Sequence, residues 1–187
     1  MLRDRDLVPP VKKGGTGKKI LPALLIGLVL AFGVRQIVHA FFVLPVTVES
    51  QDMEPGLPAG STVYVNRLAD PTELKAGDLV LVRHPRSPSY SMIRRVVGLP
   101  GDSVQLYNRR LFVNDREVQT PWENAIRGNR AAGGLLPATV TRRDNTEKVT
   151  IPPERLFLLG DDRDRALDSR QLGAFHFDSL EGKLMRD

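Results

Sequence analysis

Apolar positions along the chain fall into two regimes. Residues 20–34, ILPALLIGLVLAFGV, carry no charge; after Arg35, Gln36 and His39 the apolar run AFFVLPV continues to Val46. A continuous helix over 20–44 would have 25 residues. At ~1.5 Å per residue it would span about 37 Å, sufficient for a bilayer core of ~30 Å. Arg35 and His39 would then lie near the far interface, where long polar side chains can reach water. Two other readings compete. A buried core helix would be unusual beside a basic tail, and Val38-His39-Ala40 fits a signal-peptide cleavage site. Arg35 and Gln36, between the apolar run and that site, argue against cleavage, so an uncleaved anchor is favoured.

Beyond Pro45 the pattern changes to short apolar stretches separated by turns. Segments 46–50, 61–65, 78–83, 91–97, 103–106, 110–113, 148–151 and 156–159 are β-branched or alternating and are bounded by Gly, Pro, Asp and Asn, which predicts strands. Tyr107-Asn108-Arg109 suits a hairpin turn between two of them. Segment 120–145 is polar, Gly-rich and basic with a lone Trp122, and reads as an irregular insertion over the β core. No internal repeat is visible. The prediction is a mainly β, barrel-like domain over 45–187 with one irregular excursion.

Charge sharpens this division. The 187 residues carry a net +5, which invites a nucleic-acid reading. Residues 1–19 hold six basic and two acidic side chains, so the basicity belongs to a short tail beside the apolar run. From Pro45 to Val65 there is no Lys or Arg, while Glu49, Asp52 and Glu54 are present. Positive charge before the apolar run and none just after it predicts a cytoplasmic tail (1–19), a single membrane anchor (20–44) and a domain outside the membrane. Six dispersed cations beside such an anchor disfavour nucleic acid as a partner. With no cysteine in the chain, disulfide scaffolds, Cys-ligated zinc and thiol nucleophiles are excluded, and no metal or cofactor is expected.

Three polar stretches are candidates for chemistry. The densest is 160–173, GDDRDRALDSRQLG, where four aspartates and three arginines follow an apolar strand. Its bland reading is a solvated loop with surface ion pairs of ~0–1 kcal/mol each. Both signs alternating just after an apolar strand suit a structured network instead. The second is 93–102, IRRVVGLPGD, and the third is 48–57, VESQDMEPGL.

Taken in order, an apolar anchor, VESQDMEPGL, AGDLVLV, MIRRVVGLPGD and LGDDRDRALDSRQLG, the sequence resembles the bacterial type I signal peptidase family (S26, Ser-Lys dyad class) across essentially the whole exported region. The resemblance implies a complex mostly-β, barrel-like fold on one N-terminal transmembrane helix. It also implies a role at the outer membrane face in cutting signal peptides from exported preproteins, with a serine nucleophile and a lysine base.

Carried over residue by residue, the resemblance puts Ser50 at the first serine of the family's Ser-x-Ser-Met-x-Pro block, whose hydroxyl helps form the oxyanion hole. Asp52 occupies the nucleophile position, just before Met53 and close to Pro55. Arg94 occupies the position of the lysine base, with Arg95 at the retained arginine. Ala166 stands where a serine usually orients the lysine. Gly160, Asp161, Arg163, Asp164, Asp168, Ser169 and Arg170 agree with the last block. The resemblance further implies structural ion pairs Arg95–Asp161 and Asp168–Arg170, and apolar substrate-binding positions at Val46, Val48, Leu57 and Ile93. Ordinary core packing is the alternative for each of these four.

An arginine keeps its proton at any accessible pH, so Arg94 cannot act as a general base. A carboxylate attacking an amide would give an unstable anhydride with no base to assist it, and an aspartic mechanism needs two carboxylates sharing a proton. Asp52 and Arg94 instead suit a charge-assisted ion pair in a disabled site; the alternative is that both point to water. Related Gram-positive proteins that lack the dyad assist the assembly of surface pili. The expectation is therefore a membrane-tethered, non-catalytic homologue that binds an exported preprotein, signal peptide or pilin-like client. The alternative is an active signal peptidase with a modified mechanism in which Ser50 or another serine attacks. For that reading no motif brings Lys75 or Lys148 near Ser50.

Overall fold

The structure is a computed structural model and describes residues 17–132 and 144–185. The chain divides into two compact units, 1–41 and 42–187. In the first, helix α1 spans Gly17–Phe42. Every Leu, Ile, Val and Phe from 24 to 34 is more than half exposed, so this stretch is apolar around its whole circumference. Among the described residues, no helix is long and apolar enough to cross a membrane. The tail over 1–16 lies outside the described residues.

The second unit is built from antiparallel strands. These are β1 (Val43–Thr47), β2 (Thr62–Asn66), β3 (Leu79–His84), β4 (Ser87–Gly98), β5 (Ser103–Tyr107), β6 (Arg110–Val113), β7 (Arg116–Glu117), β8 (Val149–Thr150), β9 (Arg155–Leu159), β10 (Phe175–His176) and β11 (Leu180–Leu184). They form a seven-stranded sheet ordered β1-β2-β11-β3-β4-β9-β10 and a four-stranded sheet ordered β7-β6-β5-β8. Among the described residues, the end strands β1 and β10 of the large sheet are not paired with each other.

The pattern LVLV of β3 explains how the large sheet is covered. Successive side chains leave a strand on opposite faces. Val80 and Val82 join Met92, Val96, Leu156, Leu158 and Phe175 in one apolar cluster. Leu79 and Leu81 join Val48, Met53, Val65, Ile93 and Leu184 in another. A third cluster, with Val97, Phe157 and Leu159 from the large sheet and Val104, Leu106 and Leu111 from the small one, joins the two sheets.

Most predicted strands are present, with three corrections. The strand predicted at 46–50 begins three residues earlier, because Val43 to Thr47 pair with Asn66 to Thr62. Helix α1 therefore ends at Phe42, and Leu44, assigned to the anchor, lies in β1. Pro45 is tolerated there because β1 is an edge strand, where a missing N–H breaks no ladder. The second correction is α2 (Pro121–Ala132), inside the segment expected to be irregular. Pro121 opens it, and the N–H of Glu123 donates to Thr120 Oγ1 (3.4 Å), a side-chain cap on its first turn. Residues 133–143 of that segment lie outside the described residues. Third, β4 begins four residues before the predicted start, extending the β3–β4 hairpin. The turn predicted at 107–109 is the two-residue loop Asn108-Arg109, both at positive φ, between paired Tyr107 and Arg110.

Candidate functional site: an ion-paired cluster beside a groove

Strand β4 presents Arg94 and Arg95 in succession, and β9 pairs with it so that Leu159 lies opposite Arg95. The 160–173 loop therefore leaves β9 directly beside the two arginines. On the other side, the chain leaves β1 and turns through a 3-10 turn at Gln51–Met53, whose Asp52 carbonyl accepts from the N–H of Asp162 (2.9 Å). Gly160 is required at this crossing, because a Cβ there would collide with the Cβ of Ala166 and crowd the carbonyl of Asp52.

Three elements thus converge on Arg94, which is only 2% exposed. Its Nη2 donates to Asp52 Oδ2 (2.9 Å), its Nε to the carbonyl of Leu167 (2.9 Å) and its Nη1 to the carbonyl of Ile93 (2.6 Å). Asp52 keeps 22% of its side chain exposed. Ala166 is fully buried, next in the chain to Leu167, whose carbonyl accepts from Arg94. Arg95 makes a bidentate pair with Asp161, donates to the carbonyl of Gly77 (2.9 Å) and lies 5.3 Å from the ring centroid of Trp122. Asp168 accepts from Arg170 Nε (2.8 Å) and Nη2 (2.7 Å) and caps α3 (Ser169–Leu172) through a capping box. Ser169 Oγ accepts from the N–H of Leu158 (2.8 Å).

A further pair joins Arg163 to a residue that the sequence did not single out, Glu123. Arg163 Nη2 donates to Glu123 Oε2 (2.6 Å), with both side chains almost fully buried. Burial pushes the Arg163 guanidinium below its ordinary value, and the Glu123 carboxylate works against that shift. This pair fixes α2 to the 160–173 loop. The spacing Thr120-Pro121-Trp122-Glu123 carried the signal for the helix, but nothing local in the sequence pairs Glu123 with Arg163.

A groove of about 360 Å³ is lined by Val46, Val48, Ser50, Met53, Leu81, Ile93, Glu49 and Glu181, among others; it reaches Met53 and Ile93, the chain neighbours of Asp52 and Arg94, but not the bridge itself. Val46, Val48 and Ile93 meet there, and Ser50 opens onto it without making a capping hydrogen bond. Leu57 does not line this groove. It belongs to the same apolar cluster but lines a second groove with Tyr64, Trp122 and Met185. The turn after Met53 carries it there, bringing Gly56 so close to Asp161 and Arg95 that no Cβ would fit. Lys75 and Lys148 are not among the groove residues; Lys148 pairs with Asp115 (2.7 Å). Among the described residues, no group of His, Cys, Asp and Glu is placed to hold a metal ion.

The groove has two open strand edges. β1 ends the large sheet, and β9 pairs with β4 only from Arg95 onward, so among the described residues the first half of β4 is unpaired on that side. Four antiparallel pairings separate β1 from β4, so the two run in the same sense.

The profile of the family described as "Signal peptidase, peptidase S26" matches residues 18–186. The chain belongs to the S26 signal peptidase family. It is 31% identical over 172 residues to signal peptidase IB of Staphylococcus aureus, covering 89% of this chain and 88% of that protein. It is 30% identical over 162 residues to signal peptidase I P of Bacillus subtilis subsp. natto, covering 86% and 82%. A crystal structure of a signal peptidase I from Enterococcus faecalis V583 superposes with a TM-score of 0.48 at 23% identity, over 60% of this chain and 97% of that one. S26 membership and these relatives support a signal-peptidase-like function, carried on a mainly β, antiparallel fold.

Proposed function

We propose that this S26 member no longer cleaves peptide bonds and instead holds an extended segment of an exported polypeptide, a signal peptide or a pilin-like client, in the groove that ends at Met53 and Ile93, next in the chain to Asp52 and Arg94. The observation that carries this reading is the Asp52–Arg94 bridge, at the positions where the family motif calls for a serine nucleophile and a lysine base. A guanidinium held by three acceptors has no lone pair with which to take a proton. A carboxylate bound to it is neither a hydroxyl nucleophile nor half of a proton-sharing pair.

The groove supplies what binding needs. Its apolar floor accepts small side chains, and its two open strand edges offer backbone hydrogen bonds to an added strand. Cleavage from Ser50 lacks a partner, because among the described residues that line the groove there is no lysine or histidine.

The anchor is part of the same proposal and is argued from the sequence. The charge-free run at 20–34 follows a basic tail, and a helix apolar around its circumference is stable when surrounded by other apolar matter. The protein would then sit on a single-pass anchor in the cell membrane, with its N-terminus in the cytoplasm and residues 42–187 outside. Client assembly at the membrane surface, including pilus or surface-protein assembly, is the role this arrangement suits. The test is binding: purified protein in detergent is titrated with a preprotein bearing a small-x-small site. Saturable retention of the intact preprotein supports the proposal, and no retention at any concentration contradicts it.

A further inference from the structure

The hydrogen bonds of β4 show which backbone groups face the groove. The N–H of Val96 donates to the carbonyl of Asp78 and its carbonyl accepts from Gly77, both at 2.8 Å, so Val96 turns its backbone toward the β3 side. Backbone groups of successive residues in a strand point alternately to its two sides. The pairing of β4 with β3 runs without a register shift from Arg95 to Ser91, so Ser91 and Ile93 turn their backbone groups the other way, toward the open edge. An added strand would pair with that row of groups.

The last of them is already occupied. The carbonyl of Ile93 accepts from Arg94 Nη1 at 2.6 Å, and the same guanidinium is fastened to Asp52 and to the carbonyl of Leu167. Immediately beyond, from Arg95, β9 takes over the edge. The side chain of Arg94 thus folds back over the edge of its own strand at the point where the open segment ends.

We infer that the Asp52–Arg94 bridge is an end stop for a strand added to β4: a polypeptide pairs with the edge as far as Ser91 and is halted at Ile93. This rests on the proposed binding of an extended segment and adds a restriction to it. A peptidase must let the chain run past its nucleophile on both sides of the scissile bond. A site with an end stop at that place holds a segment from one side only. The ligand class is therefore an extended polypeptide that terminates or turns away at the bridge, rather than one threaded through the groove.

The experiment is a length series. Acetylated, amidated and fluorescently labelled peptides built on an Ala-Gln-Ala core are lengthened two residues at a time at either end, and Kd is read by anisotropy against the full chain in detergent. Lengthening at one end should tighten binding by about fivefold per added hydrogen-bonded pair, and lengthening at the other by less than about twofold. The paired change Asp52→Asn with Arg94→Met removes both charges together, leaving neither buried alone, and should make extension at the silent end productive. Equal gains at both ends of the peptide on the wild type would overturn the end stop while leaving the groove as a binding site. An unchanged length dependence in a folded double variant would overturn it as well. No binding by any peptide would overturn both the end stop and the proposed function. Should the double variant not give a cooperative melt, the asymmetry on the wild type decides.

Discussion

Arg94 Nη2 lies 2.9 Å from Asp52 Oδ2, joining strand β4 to the turn that follows β1 across 42 residues of sequence. The guanidinium is 2% exposed and the carboxylate 22%, so the pair is shielded from solvent on one side only. Removing one member leaves a charge buried without a partner, the costly way to break such a bridge. Replacing both with neutral groups of similar shape avoids that penalty.

Asp52→Ala should therefore destabilise the domain by about 3 kcal/mol. At ~2–4 °C per kcal/mol for a chain of this size, the melting temperature falls by roughly 6–12 °C. Thermal unfolding followed by circular dichroism checks this, and a change no larger than that of a surface Asp→Ala would show that the bridge contributes nothing.

Glu123→Ala should cost more than Asp115→Ala. Glu123 and Arg163 are at most 2% exposed, and the variant strands a guanidinium whose Nε already has no partner. The expected loss is about 3–5 kcal/mol. Lys148 and Asp115 are 47% and 75% exposed, where a pair is worth under ~1 kcal/mol. Urea denaturation of the two variants side by side tests the ranking.

Asp70 should respond to acid. Its carboxylate accepts from Thr72 Oγ1 (2.7 Å) and the Thr72 N–H (2.8 Å), and these bonds hold its pKa below the ordinary carboxylate value. A depressed folded-state pKa contributes stability that is present above the unfolded value and lost as pH falls through the folded one. The Asp70 side-chain carboxyl signal in an NMR titration should accordingly move at lower pH than that of a free aspartate. A midpoint at or above the free value would contradict the hold of the Thr72 hydrogen bonds on the carboxylate.

Restoring the family residues should restore chemistry. Asp52→Ser, Arg94→Lys and Ala166→Ser together put a hydroxyl, an amine and an orienting hydroxyl where the bridge now stands. Measurable cleavage of a preprotein by the triple variant is the expected outcome. A folded but inert triple variant would mean that these three positions alone do not account for the proposed loss of cleavage.

Much of this was legible from the chain. The LVLV and IRRVVG stretches announce two central strands, and the alternating charges of 160–173 announce a network because they follow an apolar strand. What was hidden depends on distance in sequence. Glu123 finds Arg163 40 residues away, and no local pattern records such a pairing. Helix α2 was missed because its Gly-rich, polar composition outweighed the Thr120–Glu123 capping signal. Leu57 lines a different groove from Val46, Val48 and Ile93 because a motif gives order along the chain, whereas the turn around Gly56 decides which side the next residue faces. The capture of the Ile93 carbonyl by the adjacent Arg94 depends on a rotamer, which no sequence pattern specifies.

The most direct test of the central claim is the rate at which the wild-type chain cleaves a preprotein bearing a small-x-small site, measured in detergent against a protein-free control. The Asp52–Arg94 bridge predicts a rate indistinguishable from the control. Site-specific cleavage well above it would contradict the claim that this site has lost its chemistry.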